Sequence, residues 1–362
     1  MDSVPVAELR TDPNTVARYA VSRYSDIGAV VGVDRITTGF LNFVWRVRGT
    51  GGSVIVKVMA EFAASNPTIA LDRRRVAVEA AALELLAPGG RLGSVCGSMV
   101  HTPRLLDGDP ERGVLIIEDF GSIPDLKSWL GTTNDSRLAG NIGQEIGGFL
   151  GRLHLHSNED SEIASRVENP TIQKTRLEVQ YRAVSQLAAQ ASLGDASKIG
   201  AKAEALGHSL NRRGHVFIMG DLWPQSLLIS RQQVGVIDWE LAHWGWPAQD
   251  VAHLAAHLWM IEQTAAEDDA KERARRTRVE FLVGYREALG SRFDELFGTT
   301  GVEHSRIHAG AEILVRTLGR FSDGYLYGGL DPDSTLVKEA VTVAAEHIRS
   351  DPSSDMFAPL LE

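Results

Sequence analysis

The sequence predicts an α+β chain in two parts: a small antiparallel sheet with one helix over residues 1–119, then a larger, mostly helical part over 120–362. Three observations carry this. Apolar runs broken by tight turns fill the first part. Helical apolar spacing dominates from about 140 to 210 and from about 249 to 350. Between those helical stretches lie two short apolar segments, MGDLWPQSLLI and VIDWE, which carry three carboxylates.

Each element follows from its residues. VDRITTGFLNFVWRVRGTGGSVIVKVMA holds apolar runs separated by TTG and GTGG, which predicts strand, turn, strand, turn, strand. DRRRVAVEAAALELLAPGG is rich in Ala, Leu and Glu and closes on Pro-Gly-Gly, so it predicts a helix with a defined end. GVLIIEDF predicts a buried strand, and IGQEIGGFLGRLHLHS has the spacing of a helix.

Composition narrows the function. Hydrophobic residues at 43 % and charged ones at 23 % are ordinary for a folded chain. Thirty-seven basic against 47 acidic residues give a net charge of −10, which disfavours nucleic acid or an anionic membrane as partner. The single cysteine, Cys96, excludes an internal disulfide and any multi-cysteine metal site. No apolar run approaches bilayer length and the N-terminus lacks a signal-peptide pattern, so a cytoplasmic protein is expected. The glycines of PGGRLGSVCGS lack the GK[ST] ending of a P-loop.

The three carboxylates carry the chemistry. Buried carboxylates are costly unless paired, protonated or bound to a cation. Asp238 and Glu240, at i and i+2, are expected on one side of a strand end, where they would hold a metal ion. Oxygen ligands with the Ser226 hydroxyl nearby favour Mg²⁺, with Mn²⁺ as the alternative, over zinc. Asp221 is then the base or orienter beside the metal. In the first part, Gly39 lies at a hairpin turn where backbone amides can approach phosphate oxygens. Lys57 sits mid-strand, an expensive place for a charge, and Glu79 on the following helix is its expected partner. Turn, lysine, helix glutamate, aspartate and second aspartate, in that order, are the inventory of kinase-type phosphoryl transfer.

On these residues the chain resembles the aminoglycoside phosphotransferase and choline kinase superfamily over nearly its whole length. MGDLWPQS resembles that family's His-Gly-Asp-x-x-x-x-Asn loop, with Met219 in place of the histidine and Ser226 in place of the asparagine, and VIDWE resembles its metal-binding motif. KVMAEFAASNPTIALDRRRVAVEAAALELL, Ser226, the Asp-x-Glu at 238–240 and EILVRTLGRFSD resemble the methylthioribose kinase branch. The resemblance implies a protein-kinase-like two-lobe fold with nucleotide and Mg²⁺ in the cleft. It implies that Asp221 aligns or deprotonates the acceptor hydroxyl, and that Asp238 binds Mg²⁺ with help from Ser226 and Glu240. Lys57, held by Glu79, would contact the nucleotide phosphates, with Thr38, Gly39 and Asn42 at the phosphate turn. The backbone of Glu118 to Phe120 would bind the purine edge beside Ile117. A homodimer is compatible with the resemblance.

Trp223, His243, Trp244 and Trp246 lie near the two motifs and are candidates for the acceptor pocket, although the tryptophans equally suit packing. Arg316 and Arg320 are placed near the acceptor by the resemblance, with a surface ion pair as the plainer reading. His253 and His257, at i and i+4, lack the intervening glutamate of a metalloprotease helix, so metal binding there is not expected. His154 and His156 are expected to be structural, and KERARRTRVE reads as a solvated helix face.

The expected function is transfer of the γ-phosphate of ATP or GTP to a hydroxyl of a sugar-containing acceptor, such as an aminoglycoside or nucleoside antibiotic. A methylthioribose kinase-like sugar kinase is the alternative. Met219 and Ser226 also admit an inactive nucleotide-binding pseudokinase.

Overall fold

The computed structural model describes residues 5–37, 39, 41–319 and 321–362, with Asn66 described by its backbone only. Thr38 and Arg320, both named above, lie outside the described residues. The chain divides into two units. One comprises Met1–Ser94, Thr102–Ile123 and Ile237–Leu241, the other Val95–His101, Pro124–Val236 and Ala242–Glu362. Residues 237–241, expected in the second part, therefore pack in the first, where Trp239–Leu241 lies against the Arg75–Leu86 helix.

The first unit is built on a five-stranded antiparallel sheet. Its spatial order is Val30–Ile36, Phe43–Gly49, Gly52–Val58, Val114–Glu118 and Leu105–Asp109. The register puts Lys57 opposite Val44 on one side and Leu115 on the other, so a central strand carries the lysine. One helix was expected here, and two α-helices are present among the described residues. The additional helix, Pro13–Arg23, has a clear start signal: Asp12 accepts from the backbone N–H groups of Asn14 and Thr15, and proline occupies the first turn. Its Val16, Tyr19 and Ala20 pack with Leu9, Trp45, Val47, Val56 and Ile116 into a core. The expected helix spans Arg75–Leu86 and ends before Pro88, where Gly89 turns with φ +83°.

The second unit is mostly helical. Ser136–Ser157 packs along Asp268–Leu289, and glycines spaced four residues apart let the two backbones approach. A Cβ at Gly147 would stand 2.0 Å from the Phe281 carbonyl oxygen, and one at Gly143 would stand 2.3 Å from that of Thr277. The repeated glycines of IGQEIGGFLGR thus serve packing rather than flexibility. Ala248–Thr264 is buried over most of its length. Short strands bracket the motif loops: Val216–Ile218 pairs with His243–Gly245, and Leu227–Ile229 pairs with Val234–Val236, which also runs parallel to Val100–His101. An antiparallel sheet in one unit and helices in the other give the α+β class expected from the sequence. No described helix is long and apolar enough to cross a membrane.

Candidate active site

In the first unit the chemistry centres on Lys57. Its ammonium lies 2.7 and 2.8 Å from the two carboxylate oxygens of Glu79 and 2.8 Å from Asp238 Oδ1. Lys57 and Glu79 are 2 % and 0 % exposed, whereas the Asp238 side chain is 46 % exposed. Burial alone would lower the Lys57 pKa, but the charges of Asp238, Glu79 and Glu240 outweigh it and raise it above the ordinary lysine value. Burial raises the Glu79 carboxyl, only partly offset by the Lys57 ammonium.

Asp238 and Glu240 do not share the side of a strand end, as their spacing suggested. The strand stops at Val236, Asp238 takes a left-handed backbone conformation with φ +65°, and a 3-10 turn follows over Trp239–Leu241. Aspartate tolerates that conformation better than most residues. The two carboxylates therefore part: Asp238 meets Lys57, and Glu240 meets Arg75 and Asn42. Glu240 Oε2 lies 2.5 Å from Arg75 Nε, and its Oε1 accepts from Asn42 Nδ2 at 2.5 Å. Both oxygens of Glu240 are taken, and Asn42, at the end of the turn between the Val30–Ile36 and Phe43–Gly49 strands, is buried against them. Gly39 is exposed, and a Cβ there would meet nothing within 4 Å. Ile117 is buried in the sheet. Glu118 ends its strand, with its N–H bonded to the Arg104 carbonyl and its carboxylate beside Arg104. Phe120 is half-buried beyond it.

In the second unit Asp221 follows Gly220, whose φ of +81° makes the turn off the Val216–Ile218 strand. Buried Asp250 fixes this turn by accepting the backbone N–H groups of Met219 at 2.7 Å and Gly220 at 2.8 Å. The bonding at position 219 is through the main chain, so Met219 preserves it, with its own side chain buried. Contacts to Asp221 converge on Oδ1: Arg176 Nη2 at 3.1 Å and His253 Nε2 at 3.4 Å. Burial would raise this carboxyl. The close approach of the His253 ring, with the charges of Arg176 and Arg316, overcomes that and holds it well below the usual range.

Around Asp221 lies a buried polar network that sequence reasoning had not assembled. Gln180 links Arg176 to Glu312, at 3.1 and 2.9 Å. Glu312 also meets His257 Nε2 at 3.1 Å and Arg316 Nε at 2.7 Å. His257 Nδ1 is 2.8 Å from the Tyr325 hydroxyl. His253 Nδ1 is 3.3 Å from His308, which in turn bonds Tyr181 at 2.6 Å. Ligand atoms of His253, His257 and Glu312 lie within 4.8 Å of one another. Arg316 occupies the same Glu312 oxygen, however, so the cluster is already charge-compensated without a metal. The i, i+4 histidines and Arg316 were the members singled out in the sequence; the others lie in distant segments.

Trp223 and Arg316, both acceptor candidates, come together, with the Arg316 guanidinium 5.1 Å from the Trp223 ring and 5.4 Å from that of Tyr325. Trp246 goes elsewhere: its indole N–H bonds the Arg212 carbonyl at 3.3 Å and its ring meets His215. His243 and Trp244 are buried in the short strand opposite Ile218 and Phe217. Ser226 is fully buried in a 3-10 turn, where its hydroxyl donates to the Trp223 carbonyl at 2.8 Å and faces the Trp223 N–H at 3.2 Å. That hydroxyl is engaged by main chain.

Mg²⁺ keeps much of its water and takes one or two carboxylates from a protein. The exposed Asp238 carboxylate suits that demand, whereas Glu240 and Ser226 present oxygens that are already bonded.

A family described as "Phosphotransferase enzyme family" matches residues 32–288. The chain belongs to this family. The phosphotransferase is similar to the 4-hydroxytryptamine kinase of Psilocybe cyanescens, with 23 % identity over 270 residues, covering 70 % of this chain and 74 % of that one. The 4-hydroxytryptamine kinase of Psilocybe cubensis is 25 % identical over 258 residues, covering 64 % and 68 %. In fold, the phosphotransferase is similar to choline kinase from Cryptosporidium parvum, with a TM-score of 0.53 and 14 % identity over 94 % of this chain and 95 % of that one. The GDP complex of wild-type aminoglycoside 2′-phosphotransferase IIIa gives a TM-score of 0.52 and 14 % identity over 94 % and 99 %. The fold is thus that of the protein-kinase-like phosphotransferases, and the chain is a small-molecule kinase.

Proposed function

We propose that this phosphotransferase moves the γ-phosphate of ATP or GTP directly to a hydroxyl of a ring-bearing small molecule that is not polycationic. The observation that supports the donor half best is Lys57, buried and ion-paired to Glu79 and Asp238 at once. Lys57 contacts the nucleotide phosphates, and Asp238 holds Mg²⁺, which when bound neutralises charge on them. Asp221 aligns the acceptor hydroxyl and takes its proton. With Arg176 and His253 both at Oδ1, Oδ2 is the oxygen that faces the hydroxyl.

Charge and shape in the second unit favour the acceptor class. Asp221 is attended by Arg176 and Arg316, and Glu312 is committed to Arg316, Gln180 and His257. Lys127 stands 4.9 Å from the Tyr325 ring. A polycationic aminoglycoside would meet cations there, whereas a sugar or a hydroxylated aromatic ring could stack on Trp223 or Tyr325. The 4-hydroxytryptamine kinases are consistent with an acceptor of that shape.

The test begins with thermal-shift titration of ATP and GTP, with and without Mg²⁺, on wild type and Asp238→Ala. Mg²⁺-dependent stabilisation that the variant loses supports the donor site. The preferred nucleotide is then used with methylthioribose, 4-hydroxytryptamine, nucleosides and aminoglycosides. Transfer to aminoglycosides alone would overturn the acceptor reading.

A further inference from the structure

Arg75 and Glu79 lie one turn apart on the same helix, and each ties that helix to the 237–241 segment. Glu79 does so through Lys57, which bridges to Asp238. Arg75 does so directly, by Nε to Glu240 Oε2 at 2.5 Å, while its Nη2 donates to Asn42 Oδ1 at 2.9 Å and its Nη1 to the Ala60 carbonyl at 2.8 Å. Asn42 closes the ring by donating to the other oxygen of Glu240. Arg75, Asn42 and Glu240 are 3 %, 6 % and 4 % exposed, so this cluster is shielded from water and from a hydrated Mg²⁺.

From this geometry we infer that Glu240 is a positioning residue and not a metal ligand. With Arg75 and Asn42 it forms a second lock that fixes the helix and Asp238 as one piece. The inference rests on the donor-site reading above. Its physical basis is leverage. Asp238 sits in a left-handed conformation with its own carboxylate half-exposed, and its ion pair to Lys57 ties it to the helix through Glu79. Glu240, two residues on, adds a direct side-chain tie to the same helix. It also keeps Glu79 on Lys57, so the lysine stays aimed where the phosphates bind. A ligand role and a positioning role differ in what they do to Mg²⁺. A lost ligand removes the metal's benefit. A lost lock weakens nucleotide binding whether or not metal is present, because Lys57 itself is misaimed.

The experiment measures the dissociation constants of ATP and GTP by calorimetry, with and without Mg²⁺, for wild type, Glu240→Gln, Arg75→Lys and Asp238→Ala. Glu240→Gln and Arg75→Lys are each expected to weaken nucleotide binding about tenfold in both conditions, keeping the wild-type Mg²⁺ enhancement. Asp238→Ala is expected to lose that enhancement. If Glu240→Gln loses it while Arg75→Lys keeps it, Glu240 is a ligand and the inference fails. If both variants bind nucleotide as wild type does, the cluster is structural only and the inference also fails. Should Glu240→Gln not fold, Arg75→Lys decides by the same readings, since it leaves any ligand role of Glu240 intact. An Asp238→Ala chain with undiminished Mg²⁺ enhancement would overturn the donor-site reading, and the lock with it.

Discussion

Lys57 Nζ stands 2.8 Å from Asp238 Oδ1, across 181 residues of sequence, and the same nitrogen is closer still to Glu79. A buried ammonium with two carboxylates is a charge arrangement that tolerates no missing partner. Replacing Glu79 by Gln leaves Lys57 with the exposed Asp238 alone. That change should cost about 3 kcal/mol of stability, because breaking a buried pair strands the remaining charge. Urea denaturation of wild type and variant reads it directly.

Asp221→Asn should reduce transfer by about a thousandfold, the range of a lost general base. Nucleotide affinity should stay within about twofold of wild type, because on the reading proposed above Asp221 serves the acceptor hydroxyl while Lys57 and Asp238 serve the nucleotide and its metal ion. Steady-state kinetics and calorimetry on one preparation separate the two effects. Full activity in this variant would remove Asp221 from the chemistry.

Ser226→Ala should leave the Mg²⁺ dependence of nucleotide binding unchanged, since the hydroxyl is bonded to the Trp223 main chain. Its cost should appear instead in stability, about 1 kcal/mol for the lost hydrogen bond. A large rise in the Mg²⁺ requirement would restore Ser226 as a ligand.

Stability should fall as the solution is acidified below about pH 6.5. Burial depresses His257 from 6.5 to about 3, with Arg316 and His253 adding to the fall and Glu312 resisting it. His308 is shifted in the same direction, first by burial. Between those limits the unfolded chain takes up protons that the folded chain refuses, so each of these histidines makes stability drop with falling pH, while the raised Glu79 carboxyl contributes with the opposite sign. Each such histidine contributes up to about 1.4 kcal/mol per pH unit. His257→Gln should flatten the slope measured by urea denaturation at about pH 5, 6 and 7.5. An unchanged slope would show that His257 titrates normally. His253, Glu312, Arg316 and the Tyr325 hydroxyl all face this ring, and the variant alters only the titrating group.

Much of the site could be read before folding because its signals are local. A lysine inside an apolar strand, a glutamate on the next helix and aspartates after glycine or before tryptophan each violate the local pattern around them. Asn42 was legible as a residue of the turn region but not as a partner of Glu240, since that pairing spans 198 residues. Glu240 was misread for a related reason. An i, i+2 spacing puts two side chains on one side only while the backbone stays extended, and the left-handed turn at Asp238 ends that.

The sequence by itself determined the α+β class, the strand–turn–strand–turn–strand run that ends in the Lys57 strand, and the pairing of Lys57 with Glu79 on the following helix. These follow from side-chain periodicity and from the cost of burying a charge, both of which are written in the local order of residues. Beyond the Lys57–Glu79 pair, tertiary structure alone decided which carboxylate meets which cation. It sent Glu240 to Arg75, gathered Arg176, His253, His257, Glu312 and Arg316 behind Asp221, and turned Trp246 away from them. Hydrogen bonds and ion pairs of a few ångströms depend on where distant segments come to rest, and no local pattern encodes that.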